Sequence, residues 1–175
     1  RCGASSLRTG GWGGVIGEEG MGGIQLGTEY PGAAYLALQR AILDFSRRGI
    51  ALAVASKNNL ADAIEVLEKH PAMLLRSKNF ATLRIDWEDK VTHIRKISKE
   101  LNIGFEDMVF LDDNPVEREL VRSQLPEVHV LDLPSGPMNY AAALRDCPLF
   151  ERVSQSVEDR ERGRYYLEER GRRER

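Results

Sequence analysis

The chain has 175 residues, with 25 Lys and Arg against 27 Asp and Glu, a formal net charge of -2, and 42% hydrophobic residues. That is enough apolar chain for one domain with a real core, and it lacks the basic excess of a nucleic-acid binder. Two cysteines, Cys2 and Cys147, are too few for a disulfide framework, and no apolar run approaches the roughly 18 residues of a membrane span. A cytoplasmic protein without a signal peptide is expected.

In chain order, the first residues offer little to a buried strand. Gly3–Gly11 is small and polar, with Leu7 its one bulky apolar side chain, although an α/β fold wants a strand here. The abrupt start reads as that of a fragment. Trp12–Gly27 is glycine-rich and reads as turns and a flap; no Gly-Lys-Ser/Thr follows to make a nucleotide P-loop.

Pro31 opens a helix to about Arg48, with Tyr35, Leu38, Ile42 and Phe45 on one face and Gly49 as its stop. Ile50–Ala55 is a buried strand ending in Ser56-Lys57-Asn58-Asn59. The next helix places Leu60, Ile64 and Leu67 inward, capped by Asn58 or Asn59. A hydroxyl, an ammonium and free helix-terminal amides at one point make an anion site, although Ser and Asn also cap helices with no ligand present.

After a less regular stretch, Asp86 caps a helix from Trp87 to about Leu101, with Val91, Ile94, Ile97 and Leu101 inward. Lys90 lies in its first turn, where the helix dipole disfavours a cation, and close to the apolar stripe. An anionic partner accounts for both; a lysine snorkelling at the stripe's margin needs none.

Met108–Leu111 then runs directly into Asp112 and Asp113, with Asp113 or Asn114 as helix cap and Pro115 at the first helical position. The four apolar residues suit a strand covered on both faces, and ligands of open α/β sheets bind at the carboxyl edge. Adjacent carboxylates repel unless a cation or proton intervenes, which points to a hard divalent ion such as Mg2+. One aspartate capping a helix and the other in solvent is the simpler alternative.

In the helix after Pro115, Val116 and Leu120 are placed inward, while Glu117 and Glu119 suit its positive end. Val128–Leu133 reads as a strand with His129 on its polar face, Pro137–Arg145 as a short helix, and Phe150 as closing the core. His70 and His93 lack metal-ligand spacing and are read as surface residues. Residues 156–175 hold seven arginines and six acidic residues, a solvated helix or linker leading out of the domain.

Alternating strands and helices imply a doubly wound, mainly parallel sheet with helices on both faces. A strand ending in Ser56, a helix bearing Lys90 and a strand ending in Asp112-Asp113 resemble, in that order, the haloacid dehalogenase (HAD) superfamily of phosphoryl-transfer enzymes. Several longer motifs look like its FkbH-like subfamily. They are Trp12-Gly-Gly-Val-Ile-Gly-Glu-Glu-Gly, Ser56-Lys57-Asn58-Asn59, Leu67-Glu-Lys-His-Pro, Asp89-Lys90, Leu101-Asn-Ile-Gly and Phe110-Leu-Asp-Asp-Asn-Pro-Val-Glu-Arg-Glu-Leu. The likeness covers about residues 12–150, within a phosphoryl-transfer domain placed at 1–150 with 1–11 atypical, followed by a charged tail at 151–175.

Members of that subfamily are associated with moving a glyceryl unit from a phosphorylated three-carbon metabolite onto the phosphopantetheine thiol of an acyl carrier protein, with loss of phosphate. By this resemblance Ser56 hydrogen-bonds the transferring phosphoryl group, Lys90 neutralises its charge, and Asp112 with Asp113 holds Mg2+. Lys57 and Asn58, at the same strand end as Ser56, are expected to bind substrate.

The superfamily also uses an Asp-x-Asp pair at the end of strand one, a nucleophile and a general acid/base. Along the FkbH-like pattern these positions fall on Ser6 and Arg8. Serine without an adjacent base is a poor nucleophile, and arginine cannot give up its proton, so turnover through an aspartyl-phosphate is not expected.

The sharp edge between Gly3–Gly11 and the matching stretch from Trp12 looks like a frame disruption or a wrongly assigned start. A natural descendant that only binds a carrier protein or a phosphorylated metabolite is the alternative. The first strand is therefore expected to be altered or missing. An unfilled central position would cost about 2–5 kcal/mol for each large side chain lost. A phospho-acceptor signalling domain also uses acids, a hydroxyl and a lysine, but gathers its acids at strand one, whereas this pair comes late.

Overall fold

A computed structural model describes residues 2–5, 26–151 and 157–173. Within them a five-stranded parallel sheet runs in the order β3-β2-β1-β4-β5. The strands are β1 (Cys2–Ser5), β2 (Ala51–Lys57), β3 (Thr82–Asp86), β4 (Met108–Leu111) and β5 (His129–Val130). The principal helices are α1 (Gly32–Arg47), α2 (Leu60–Lys69), α3 (Lys90–Leu101), α4 (Pro115–Gln124) and α5 (Tyr140–Arg145), followed by the short α6 (Pro148–Glu151) and the tail helix α7 (Val157–Arg173).

β2 shows why the fold is doubly wound. Ala51 to Ser56 are all buried, and alternate side chains enter opposite cores. Leu52 and Val54 join Leu38, Ile42 and Phe45 of α1, Val66 and Leu67 of α2, and Tyr140 and Leu144 of α5. Ala51, Ala53 and Ala55 join Val91, Ile94, Ile97 and Leu101 of α3, with Met108 and Phe110 from β4. The alanines on this second face let α3 lie close to the strand, which matters for Lys90. Gly49, at φ 95, takes the left-handed turn that ends α1 and feeds β2.

The central position of the sheet is filled. Cys2–Ser5 pairs with β2 on one side and β4 on the other, with Ser5 opposite both Val54 and Leu111. The expectation of an altered or missing first strand resolves as altered. A parallel ladder is built by backbone groups, so a short stretch of small residues can hold register where both neighbours supply partners. Ser6 and Arg8, like the glycine-rich stretch up to residue 25, lie outside the described residues.

Five further expectations need correction. Thr82–Asp86 is a strand, not an irregular stretch, and α3 begins at Lys90 with Asp89 as its cap, its side chain accepting from Thr92 N at 2.9 Å. The last strand shrinks to His129–Val130. Leu60 and Val116 face solvent, Leu120 is marginally exposed, and α4 buries Val121 instead. Residues 157–173 are helical, but they turn back onto the body. Arg170 donates to the carbonyls of Ser77 and Phe80, Arg173 reaches Glu100 at 3.1 Å, and Tyr166 packs on the α3-side core.

Candidate active site

The carboxyl ends of β2 and β4 flank that of β1, and the first turn of α3 closes over them. Ser56 is fully buried, and its Oγ has no hydrogen-bond partner among the described residues. Lys90, the first residue of α3, is 3% exposed. Its Nζ donates to the Ala55 carbonyl at 2.8 Å and stands 3.3 Å from Asp112 Oδ2. Asp112 is fully buried as well, and its Oδ1 accepts from Asn114 N at 2.9 Å. Burial pulls the Lys90 ammonium below the usual lysine range, against the opposing charges of Asp112 and then Glu117.

An ammonium and a carboxylate thus meet from two separated pieces of chain, at the sheet edge where the buried Ser56 also lies. Local sequence explains each placement. Ser56 ends a run of small and branched residues buried on both faces, and Asn59 stops it by capping α2, accepting from Ala61 N at 2.9 Å and Asp62 N at 3.3 Å. Asn114 caps α4, with Pro115 at its first position, which turns the chain sharply after Asp112. Arg118, one turn along, clamps this corner by donating to the carbonyls of Asp112 at 2.9 Å and Asp113 at 3.0 Å.

The remaining expected site residues are arranged differently. Lys57 is engaged by Glu117 at 3.1 Å. Asn58 is buried and its side chain accepts from Asn59 N at 2.8 Å, so Asn59 takes the capping role left open between them. Asp112 faces Lys90, and the charge of Asp113 acts on Tyr35 and Tyr140. Burial first and Asp113 second hold both phenols above their ordinary range. Tyr35 and Tyr140 stand edge to face, 6.5 Å between ring centres.

Sequence reasoning missed Glu117 as a member of this site. Its side chain is largely buried between Lys57 and the Lys90 region, with Oε2 unpartnered among the described residues. The available signal was its place in the first turn of a helix springing from the acidic pair, which aims early side chains back at the strand ends. His93, expected on the surface, is fully buried on α3 and stands 2.6 Å from Asp86 at the end of β3.

The topology is that of a parallel α/β domain with Ser56, Lys90 and Asp112 at the carboxyl edge of its sheet. Residues 30–143 match the family model described as Acid Phosphatase, and the chain belongs to that family, within the HAD superfamily. Among solved structures, the chain is similar to the N-terminal part of the protein BF1531 from Bacteroides fragilis, which contains a phosphatase domain and is complexed with Mg. The TM-score is 0.83 with 42% sequence identity, over 87% of this chain and 41% of that one. The chain therefore spans less than half the length of that relative. Comparison with curated proteins gives no match. Among the described residues, no helix is long and apolar enough to cross a membrane.

Proposed function

We propose that this domain is a Mg2+-dependent phosphoryl-transfer module of the FkbH-like kind. It would pass the glyceryl unit of a phosphorylated three-carbon metabolite to the phosphopantetheine thiol of an acyl carrier protein, the phosphate being released. In the chain as it stands, turnover is blocked because Ser6 and Arg8 occupy the positions of the two catalytic aspartates.

One observation carries the phosphoryl-transfer reading. The Lys90 ammonium is fixed between the Ala55 carbonyl and Asp112 Oδ2, and the next residue of β2 after Ala55 is Ser56, buried with its hydroxyl unpartnered among the described residues. A phosphoryl group entering there meets a cation and a hydroxyl donor already held in place by the fold, so little reorganisation remains to be done. The donor set suits a hard cation: Asp112 offers a buried carboxylate oxygen and Asp113 a second acid next to it in sequence. When bound, Mg2+ supplies charge neutralisation to the phosphoryl oxygens. Lys90 orients Asp112, Asn114 N fixes its other oxygen, and Glu117 keeps Lys57 at the mouth.

The carrier-protein reading draws support from the rim. Leu60, Trp87, Val116 and Met138 follow the carboxyl ends of β2, β3, β4 and β5, and each is at least half exposed. A small phosphorylated metabolite needs no apolar collar, whereas a protein that delivers a thiol has use for one.

The test gives the Ser6→Asp/Arg8→Asp chain Mg2+, a phosphorylated three-carbon donor and a carrier protein bearing its phosphopantetheine arm. Phosphate release with a glyceryl mass increase on the arm is expected. Release without that increase would reduce the activity to simple phosphatase, and neither would remove the reading. A binding-only module is the second reading, favoured by Ser6 and Arg8 themselves. It calls for ligand binding without turnover even in the restored chain.

A further inference from the structure

A second group of ligand-type side chains gathers one strand further out, at the carboxyl end of β3. Asp86 ends that strand in register with Lys57 of β2, Glu88 follows two residues later, and His93 lies on the first turn of α3. One oxygen from each carboxylate and one imidazole nitrogen lie within 4.8 Å of one another.

The imidazole is fully buried, and its Nδ1 has no partner among the described residues, so Nε2 is the ring atom turned to the cluster, 2.6 Å from Asp86 Oδ1. Asp86 Oδ1 also accepts from Glu88 N at 2.9 Å, which folds the turn so that both acids lie on His93's side. The carboxylates themselves are about half open to solvent, 49% for Asp86 and 44% for Glu88. A fixed nitrogen at the back and two accessible carboxylates in front are what a cation needs in order to enter.

We propose that Asp86, Glu88 and His93 form a second divalent-cation site, for a first-row transition ion such as Zn2+ or Mn2+, separate from the Mg2+ position at Asp112. An imidazole with two carboxylates is a mixed nitrogen and oxygen set, which transition ions accept and which Mg2+, with its preference for oxygen and water, does not. His93 is already ordered by packing, so ligation costs little side-chain entropy.

Ligation uses the Nε2 lone pair, with the ring proton on Nδ1, and draws Glu88 away from Lys96, its present partner. Three protein ligands leave positions for water. The ion would tie the Asp86–Asp89 turn to α3, whose first residue is Lys90. The site makes no use of the proposed reaction and stands whether or not that reaction occurs.

The experiment titrates the full chain with Zn2+ by calorimetry and with Co2+ by visible absorption, in excess Mg2+ to occupy the oxygen site. One ion per chain is expected, with a Co2+ spectrum carrying nitrogen ligation. Affinity is expected to fall by about 100-fold or more in Asp86→Asn/Glu88→Gln, since even loss of a supporting partner costs 10- to 100-fold at metal sites. These two acids are half exposed, so the variant retains the core. His93→Gln is expected to remove the nitrogen signature. Undiminished binding in the carboxylate variant would assign the ion to His70, His129 or a cysteine and overturn the proposal. Absence of any binding at millimolar Zn2+ would overturn it as well.

Discussion

Replacing Ser6 and Arg8 together by aspartate is expected to turn a silent chain into a Mg2+-dependent phosphatase, with a rate gain of several orders of magnitude. Removing a covalent nucleophile costs on the order of a million-fold in a well-studied hydrolase, which sets the scale of what restoration can return. The rest of the site makes the gain reachable. β1 ends at Ser5 between β2 and β4, the strands that lead to Ser56 and Asp112, so the chain leaves β1 between the two halves of the site. Arg8→Asp alone is expected to stay silent. Ser6→Asp alone is expected to trap phosphate covalently, because the residue needed to activate water for its release is still missing. Phosphate release from a small phosphomonoester, measured in Mg2+ and again in chelator, checks all three variants.

The second large effect is on stability. Asp112→Ala is expected to cost about 3–5 kcal/mol, because it leaves the Lys90 ammonium buried without its counter-charge. Both side chains are almost completely excluded from water, 4% and 0% exposed, so solvent does little to soften the loss. The measurement is a shift in denaturant midpoint at unchanged slope. Lys90→Met combined with Asp112→Leu is expected to recover most of that stability, since two apolar groups replace two charges and no buried ion is left alone. The double variant would then be folded and unable to hold phosphate, which separates the pair's contribution to stability from its contribution to the site.

The strands that carry the site were legible because burial on both faces writes them as apolar runs. Ile50–Ala55 and Met108–Leu111 break off abruptly into Ser56 and Asp112, and each break marks a sheet edge. β3 was not legible. It is an edge strand whose Leu83 and Arg84 are only partly buried, so Thr-Leu-Arg-Ile-Asp has neither a continuous apolar run nor clean alternation.

That omission hid a second feature. His93 lacks metal-ligand spacing in the sequence and so reads as a surface residue; its partner Asp86 ends a strand that the sequence does not announce. On α4 the apolar residues Val116, Leu120 and Val121 admit two phases; packing against β5 selects Val121 and leaves Val116 in solvent. The return of α7 could not be read at all, because Arg170 binds backbone carbonyls, and every residue offers one.

The convergence of Ser56, Lys90 and Asp112 on one metal-bound phosphate is tested most directly by titrating the unaltered chain with orthophosphate, with and without Mg2+, by calorimetry. Each ligand is expected to tighten the other's binding, phosphate affinity is expected to fall at least tenfold in Ser56→Ala, and Lys90→Met/Asp112→Leu is expected to bind no phosphate measurably. Phosphate binding that ignores Mg2+ and persists in the double variant would contradict a shared site.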